Sequence, residues 1–383
     1  MLHLRNSEFG SEVAKHSATP PPNYVRPPGV RYRCRTSRAS LTVLLAASVV
    51  MMSSAVTGAT NCKLARIAEW PVRLSGNHIL VDGAINSQKI GVMLDTGAPD
   101  TLILRSAATR LGLLTREVKG SRMFGIGGET TVEVTTVDDF NLGGVSANGF
   151  RLLVVGERDF GEKVAVVIGE DFLQRFDVEF DLARRVVRLH QPKDCDSVSL
   201  AYWTKEVAGE VEIEAIDEYR PRINLTVHIN GQPIRAMLDS GAASSVLTLR
   251  DAASLGVTPE TPGVVATNPG GGLGAKSVDT WIGPFQSFAI GNEKISDVRI
   301  RFADLYKDTT YTQTGTQIRR NASAMQPMLL GADFISAHRV LVSHSQRKLY
   351  FTYAGGPVFA ADRPAARADP VVDGDKSSTS AGK

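Results

Sequence analysis

The sequence lacks most of what catalytic schemes need. There is no HExxH motif, and His78, His190, His228, His338 and His344 fall at no spacing that builds a tetrahedral site, so no metal is expected. No GxSxG elbow is present, which removes the usual serine-hydrolase arrangement. One glycine-rich run, Pro269 to Gly274, could pass for a nucleotide loop, but Ala275 stands where a phosphate cradle needs glycine. No strand-loop-helix pattern surrounds that run, and no cofactor is expected.

Charge of one sign is also scarce. The net charge is only +3, and residues 1–40 alone hold seven Lys/Arg against Glu8 and Glu12, so the rest of the chain is slightly acidic. That excludes a nucleic-acid footprint. Long apolar runs are missing too: the longest, Leu41 to Val56, is short for a membrane span but right for the core of a signal peptide. It follows basic residues and ends in small ones, which predicts a leader over residues 1–59, cleavage near Ala59, and an exported protein, periplasmic or secreted. An uncleaved leader would leave a membrane anchor as the alternative. Of three cysteines, Cys34 leaves with this leader. Cys62 and Cys195 then bracket the first half of the mature chain, where a bridge closing so long a loop stabilises by about 2 to 5 kcal/mol in an oxidising compartment. Two free cysteines are the alternative, and neither reading supplies a thiol nucleophile.

What the chain does have, it has twice. Ile85 to Ala98 reads INSQKIGVMLDTGA and Ile229 to Ala242 reads INGQPIRAMLDSGA, in register 144 residues apart and without a gap as far as Gly112 and Gly256. Such register marks an internal duplication. Each copy brings one aspartate, Asp95 or Asp239, to the end of an apolar strand, followed by a small hydroxyl residue and glycine. A single copy would be ordinary turn chemistry, in which Asp caps its own turn. Two in register, each with its own downstream glycine element, exceed what turn formation requires.

These residues carry a resemblance. Asp95-Thr96-Gly97-Ala98 and Asp239-Ser240-Gly241-Ala242 resemble the catalytic signature of aspartic proteases, in the retropepsin-like branch where alanine follows the glycine. Val167-Ile168-Gly169 and Leu329-Leu330-Gly331 resemble the element of that family that supports the aspartate loop, and Glu170-Asp171-Phe172 and Ala332-Asp333-Phe334 follow them. The resemblance spans roughly residues 75 to 355 and implies a mainly β protein with short helices: two retropepsin-like β-barrel lobes related by a pseudo-two-fold, with a cleft between them. It also implies that Thr96 and Ser240 hydrogen-bond across the lobe junction. The hairpin through Met123, Phe124, Gly125, Ile126, Gly127 and Gly128 would be the flap over substrate, although it carries no tyrosine. An ordinary surface hairpin is the alternative there.

The rest of the chain supports this division. Turns precede the aspartate strands, at Asp82-Gly83 and Asn86-Ser87 in the first repeat and at Asn230-Gly231, a strong hairpin signal, in the second. Short helices over Ser106 to Leu111 and Arg250 to Leu255 end at Gly112 and Gly256. Strand-turn-strand patterns from Phe176 to Leu189 and from Val340 to Tyr353 close the lobes. The expected domains are 60–195 and 221–355, joined by a 196–220 connection that includes a strand. A polar insertion covers 304–326, and 356–383 form a disordered tail.

Two carboxylates about 3 Å apart share one proton and supply a general acid and a general base in one site. The side chains of Ala98 and Ala242 cannot donate to these carboxylates, so the pair should titrate higher than one flanked by hydroxyls. The expectation is an aspartic endopeptidase acting on an extended peptide or protein as a monomer, with pairing between chains as the alternative to pairing within one. The other class left open is a non-catalytic peptide-binding module of the same fold.

Overall fold

In this computed structural model, residues 61–161, 163–216, 221–307, 310–312, 319–321 and 326–359 are described. The expected leader, and all of the expected tail beyond Phe359, lie outside them.

The duplication reappears as strand order. In the first lobe, His78–Ile85 pairs with Gln88–Leu94, which pairs with Val164–Ile168, then Leu102–Leu104, Val145–Val155, Gly128–Leu142 and Arg116–Gly125. In the second lobe, Asn224–Ile229 is followed in the same order by Gln232–Leu238, Met328–Leu330, Val246–Thr248, Glu293–Ala303, Val278–Ile290 and Val265–Gly270. Each series closes on itself, because its first strand also pairs with the long sixth strand, at Ile85↔Phe140 and at Ile229↔Phe288. Two closed, mainly β barrels result, as the repeat implied. Apolar residues fill them, among them Leu94, Phe140 and Val154 in one lobe and Leu238, Phe288 and Phe302 in the other, all at most 1% exposed. The helices are short: Arg105–Arg110 and Leu249–Ser254 occupy equivalent places and are followed by Gly112 and Gly256 at positive φ.

One local expectation fails. No turn forms at Asp82-Gly83; the strand His78–Ile85 runs through it, and the chain reverses only at Asn86 and Ser87, both at positive φ. Gly83 has a packing reason instead. A Cβ there would lie 2.7 Å from the Asn141 carbonyl oxygen and 2.9 Å from Val92 Cγ2, so glycine allows the barrel to close.

A further sheet joins the lobes. The closing hairpin of the first lobe, Asp177–Asp181 with Val186–Lys193, lies beside that of the second, His338–Ser343 with Lys348–Tyr353, through the pairing Arg339↔Asp181 to Val342↔Val178. The interlobe strand Gly209–Glu212 adds to one edge, and the first part of the long strand Lys63–Ser75 to the other. Glu179, fully buried at this junction, accepts from Arg188 and His190 of its own lobe, from Tyr202 of the connection and from Arg339 of the other lobe. Burial alone would raise its pKa, but the hydrogen bonds from His190 and Tyr202 and the Arg339 charge outweigh burial and bring it to about 2. At the outer edge, Cys62 and Cys195 form a disulfide that ties the start of the chain's first described strand to the end of the hairpin it pairs with. Within the expected insertion, Thr310–Thr312 and Arg319–Asn321 pair as two short antiparallel strands. The chain reaches Phe359, whose ring meets Phe288 edge-on at 4.9 Å.

Candidate active site

Parallel pairing sets where each aspartate stands. Gln88–Leu94 ends beside Val164–Ile168, and Gln232–Leu238 beside Met328–Leu330, so that each aspartate and the glycine after its neighbouring strand emerge together. The Asp95 amide donates to the Ile168 carbonyl at 3.0 Å and the Asp239 amide to the Leu330 carbonyl at 2.9 Å. Gly169 and Gly331 then pass under the aspartate loops. A Cβ on either would fall 2.8 Å or less from the backbone of residues 98–100 or 242–244, so only glycine permits this approach. Thr101 and Ser245 reinforce it symmetrically. Each hydroxyl accepts from the glycine amide and donates to Asp171 or Asp333, at 2.7 and 2.6 Å.

The two loops meet through their hydroxyl residues. Thr96 Oγ1 donates to the Leu238 carbonyl of the other lobe at 2.8 Å and accepts from the Ser240 amide at 3.0 Å. Ser240 Oγ donates to the Leu94 carbonyl at 2.8 Å and accepts from the Thr96 amide at 3.0 Å. Both side chains are buried and fully used, so their part is to hold the loops in register.

Above them the carboxyl groups touch. Asp95 and Asp239 hydrogen-bond to one another side chain to side chain. Each Oδ1 accepts two amides of its own loop: Gly97 and Ala98 at 2.9 and 3.0 Å, Gly241 and Ala242 at 3.0 and 2.9 Å. Both pKa values are raised, that of Asp95 well above the usual range. Burial is the main cause for both. For Asp95 the neighbouring Asp239 charge adds to it; for Asp239 the loop amides and the Arg222 charge oppose it. Gly97 and Gly241 pack against the opposite carboxyl: a Cβ would come 2.5 Å from Asp239 Cγ or 2.2 Å from Asp95 Cγ.

The pair lies on the floor of a cavity of about 780 Å³. Met123, Phe124, Gly125 and Ile126 of the expected flap line it, whereas the tip beyond them makes contact with the other lobe. The Gly274 amide donates to the Ile126 carbonyl at 3.1 Å, and the Lys276 amide to the Gly127 carbonyl at 3.0 Å. Gly128 starts the returning strand and is buried. The glycine-rich run of the second lobe is therefore the other half of a two-part roof. Glu157 and Arg158 of the first lobe hold it down, through the Glu157 amide to the Leu273 carbonyl at 2.9 Å and Arg158 Nε to the Gly274 carbonyl at 3.2 Å.

Sequence reasoning missed several residues of this cavity. His78 reaches across to hydrogen-bond the Gly241 backbone, its ring edge-on to Phe160 at 5.6 Å and its pKa lowered by burial. Arg222 and Arg301 also line the site. The repeat register held a signal for two of them, since His78 and Arg222 stand 144 residues apart, but their unlike side chains hid the equivalence. Among the described residues no cluster of His, Cys, Asp and Glu could hold a metal ion.

Two closed barrels that bring matching aspartate loops together define a class: the bilobed aspartic-protease fold. A family model described as aspartyl protease matches the chain over residues 81–172 and 225–334, more than half its length. The chain belongs to this retropepsin-like aspartyl protease family and carries its domain as two tandem repeats. No curated protein matches it.

Proposed function

We propose that the protein is an exported aspartic endopeptidase that hydrolyses peptide bonds with a water activated between Asp95 and Asp239. One observation carries the reading: two carboxyl groups in contact, each with one oxygen fixed by two loop amides, on the floor of a roofed cavity. Their raised pKa values suit a pair that holds one proton near neutrality. The ionised partner takes a proton from the water as it attacks the scissile carbonyl, and the protonated partner hydrogen-bonds the carbonyl oxygen. Collapse of the tetrahedral intermediate then protonates the leaving nitrogen. The proton belongs to the pair, so neither residue is assigned a fixed role.

An extended peptide would lie between the roof and the aspartates, with the strand Arg116–Gly125 offering backbone hydrogen bonds as a neighbouring strand does. The domains we assign are a leader over 1–59, lobes over 60–195 and 221–355 with the 196–220 connection between them, and a tail over 356–383. The disulfide and the absence of any helix long and apolar enough to cross a membrane among the described residues are compatible with export.

The test is cleavage of a denatured protein by the purified chain, with and without a statine-type inhibitor. Asp95→Asn or Asp239→Asn should lower kcat by about 10²- to 10⁴-fold or more, the usual contribution of acid–base catalysis. Cleavage that survives either substitution, or a chain that binds peptide without cutting it, would exclude this mechanism.

A further inference from the structure

Behind the Asp95 loop lies a buried titratable pair that the proposed reaction does not use. Glu170 follows Gly169, and its amide donates to the Ala98 carbonyl at 2.8 Å, so its backbone holds the loop that carries Asp95. Its side chain turns to the other lobe. Glu170 Oε2 lies 3.0 Å from Nε2 of His344, which stands in the turn between His338–Ser343 and Lys348–Tyr353, the closing hairpin of the second lobe. The Glu170 side chain is fully buried, the His344 ring is 6% exposed, and Glu170 Oε1 is buried with no partner. At the corresponding place the second lobe has Ala332, whose amide makes the same bond to the Ala242 carbonyl but whose side chain cannot titrate.

The geometry fixes the protons. His344 Nδ1 lies 2.7 Å from the Phe176 carbonyl, which can only accept, so Nδ1 carries a proton. Without a second proton, Nε2 and the carboxylate oxygen would both be acceptors, and two acceptors do not rest 3.0 Å apart in a buried site. The contact therefore depends on one proton between them. Two carboxylates face the ring, Glu170 and Asp177, and both favour that proton; Arg175 borders the same recess of about 200 Å³ as His344. Asp177 accepts in turn from the hydroxyls of Ser343 and Ser345, on either side of the histidine, at 2.8 Å each. Burial opposes a charge on His344, but Glu170, the Phe176 carbonyl and Asp177 outweigh burial and raise its pKa above 6.5. The stability this adds is complete below 6.5 and is lost as pH rises through the folded value.

We propose that His344 is a positioning residue: through one proton shared with Glu170 it clasps the support of the Asp95 loop to the second lobe, and it releases that support when the proton is lost. The site is then fully braced on the acid side only. The bearing of the clasp on catalysis rests on the peptidase reading above, whereas the clasp itself does not.

Glu170→Gln separates the contact from the proton, because a glutamine N–H can donate to unprotonated Nε2. In thermal melts between about pH 5 and pH 9, the difference in melting temperature between wild type and Glu170→Gln should move in the variant's favour as His344 titrates. A difference that does not change with pH would overturn the proposal. In NMR of the 15N-histidine-labelled chain, the His344 ring, assigned by its loss in His344→Gln, should keep its Nδ1 proton and lose only the one on Nε2; loss from Nδ1 would overturn it as well. With peptide substrate at mildly acidic pH, His344→Phe should lower kcat roughly 10- to 100-fold and leave KM nearly unchanged, as a displaced catalytic loop would. Glu170→Gln should keep most of the wild-type kcat. If His344→Phe does not fold, Glu170→Ala, the exchange to the second repeat's residue, removes the same clasp. An unchanged kcat on removal of the clasp would overturn the positioning role. If no form of the chain cuts peptide, the peptidase reading falls, and the melts and the NMR titration still decide the clasp.

Discussion

At the scale of single residues, the aspartate pair sets activity and stability against one another. Both carboxyls have folded pKa values above the ordinary value of 3.8, so the folded state holds protons that the unfolded chain gives up. Stability from this source is complete below that ordinary value and is lost as pH rises through the raised folded values. Replacing one carboxyl by an amide removes the cost, because an Asn oxygen can still accept the two loop amides. Asp95→Asn should therefore melt higher than the wild type at pH 7. The gap should close toward pH 4 in a thermal melt followed by circular dichroism, and a gap that does not change with pH would contradict the linkage. The alanines after the glycines bear on the same titration. A hydroxyl at either position can donate to the charged carboxylate and so lower its pKa. Ala98→Thr and Ala242→Ser should move the acid limb of the pH–kcat/KM profile downward by roughly half a pH unit or more. No acid shift would count against the role assigned to these alanines.

Between residue and lobe, the parallel strands and the edge staple decide whether the site exists. The sequence displays Asp95 and Gly169 far apart, and nothing in either motif says that their strands run side by side. The pairing Leu94↔Ile168 does that, and Leu238↔Leu330 repeats it. The motifs were readable because each needs particular residue types: a carboxyl, a hydroxyl, and a glycine where backbones nearly touch. The Asp82-Gly83 turn was misread because glycine serves turns and close approaches alike, and only the neighbouring strand at Asn141 distinguishes them. The disulfide is a prediction at this scale. Cys62 and Cys195 enclose a span of 133 residues, and the strands they tie are already paired from Lys63↔Lys193 onward. Cys62→Ser with Cys195→Ser should cost about 2 to 5 kcal/mol, chiefly by freeing the unfolded chain. Urea melts of wild type and double variant, each with and without reductant, would measure it; equal midpoints would mean the bridge contributes nothing.

For the molecule as a whole, the sheet that joins the closing hairpins makes two half-sites into one. It crosses from lobe to lobe through Arg339↔Asp181 to Val342↔Val178, with the charged cluster on Glu179 buried at the crossing. The two lobes are thus joined by main-chain pairing over four residue pairs as well as by the Arg339–Glu179 contact. The site should then form within one chain. Mixing Asp95→Asn with Asp239→Asn chains should restore no activity, and the specific activity of the wild type should not change on dilution. Recovery on mixing would show that loops from separate chains pair.

The sequence by itself determined that there are two equivalent halves and that each delivers one aspartate on a strand end beside small residues, because duplication and the demands of close backbone approach are written in residue types at fixed spacing. Only the tertiary structure decided what surrounds those aspartates. That the two glycine-rich hairpins bind each other, and that His78 and Arg222 line one cavity from opposite lobes, depend on contacts between residues distant in the chain. Such contacts leave no local pattern, since a histidine or arginine on a strand has the same appearance whether it faces solvent or the site.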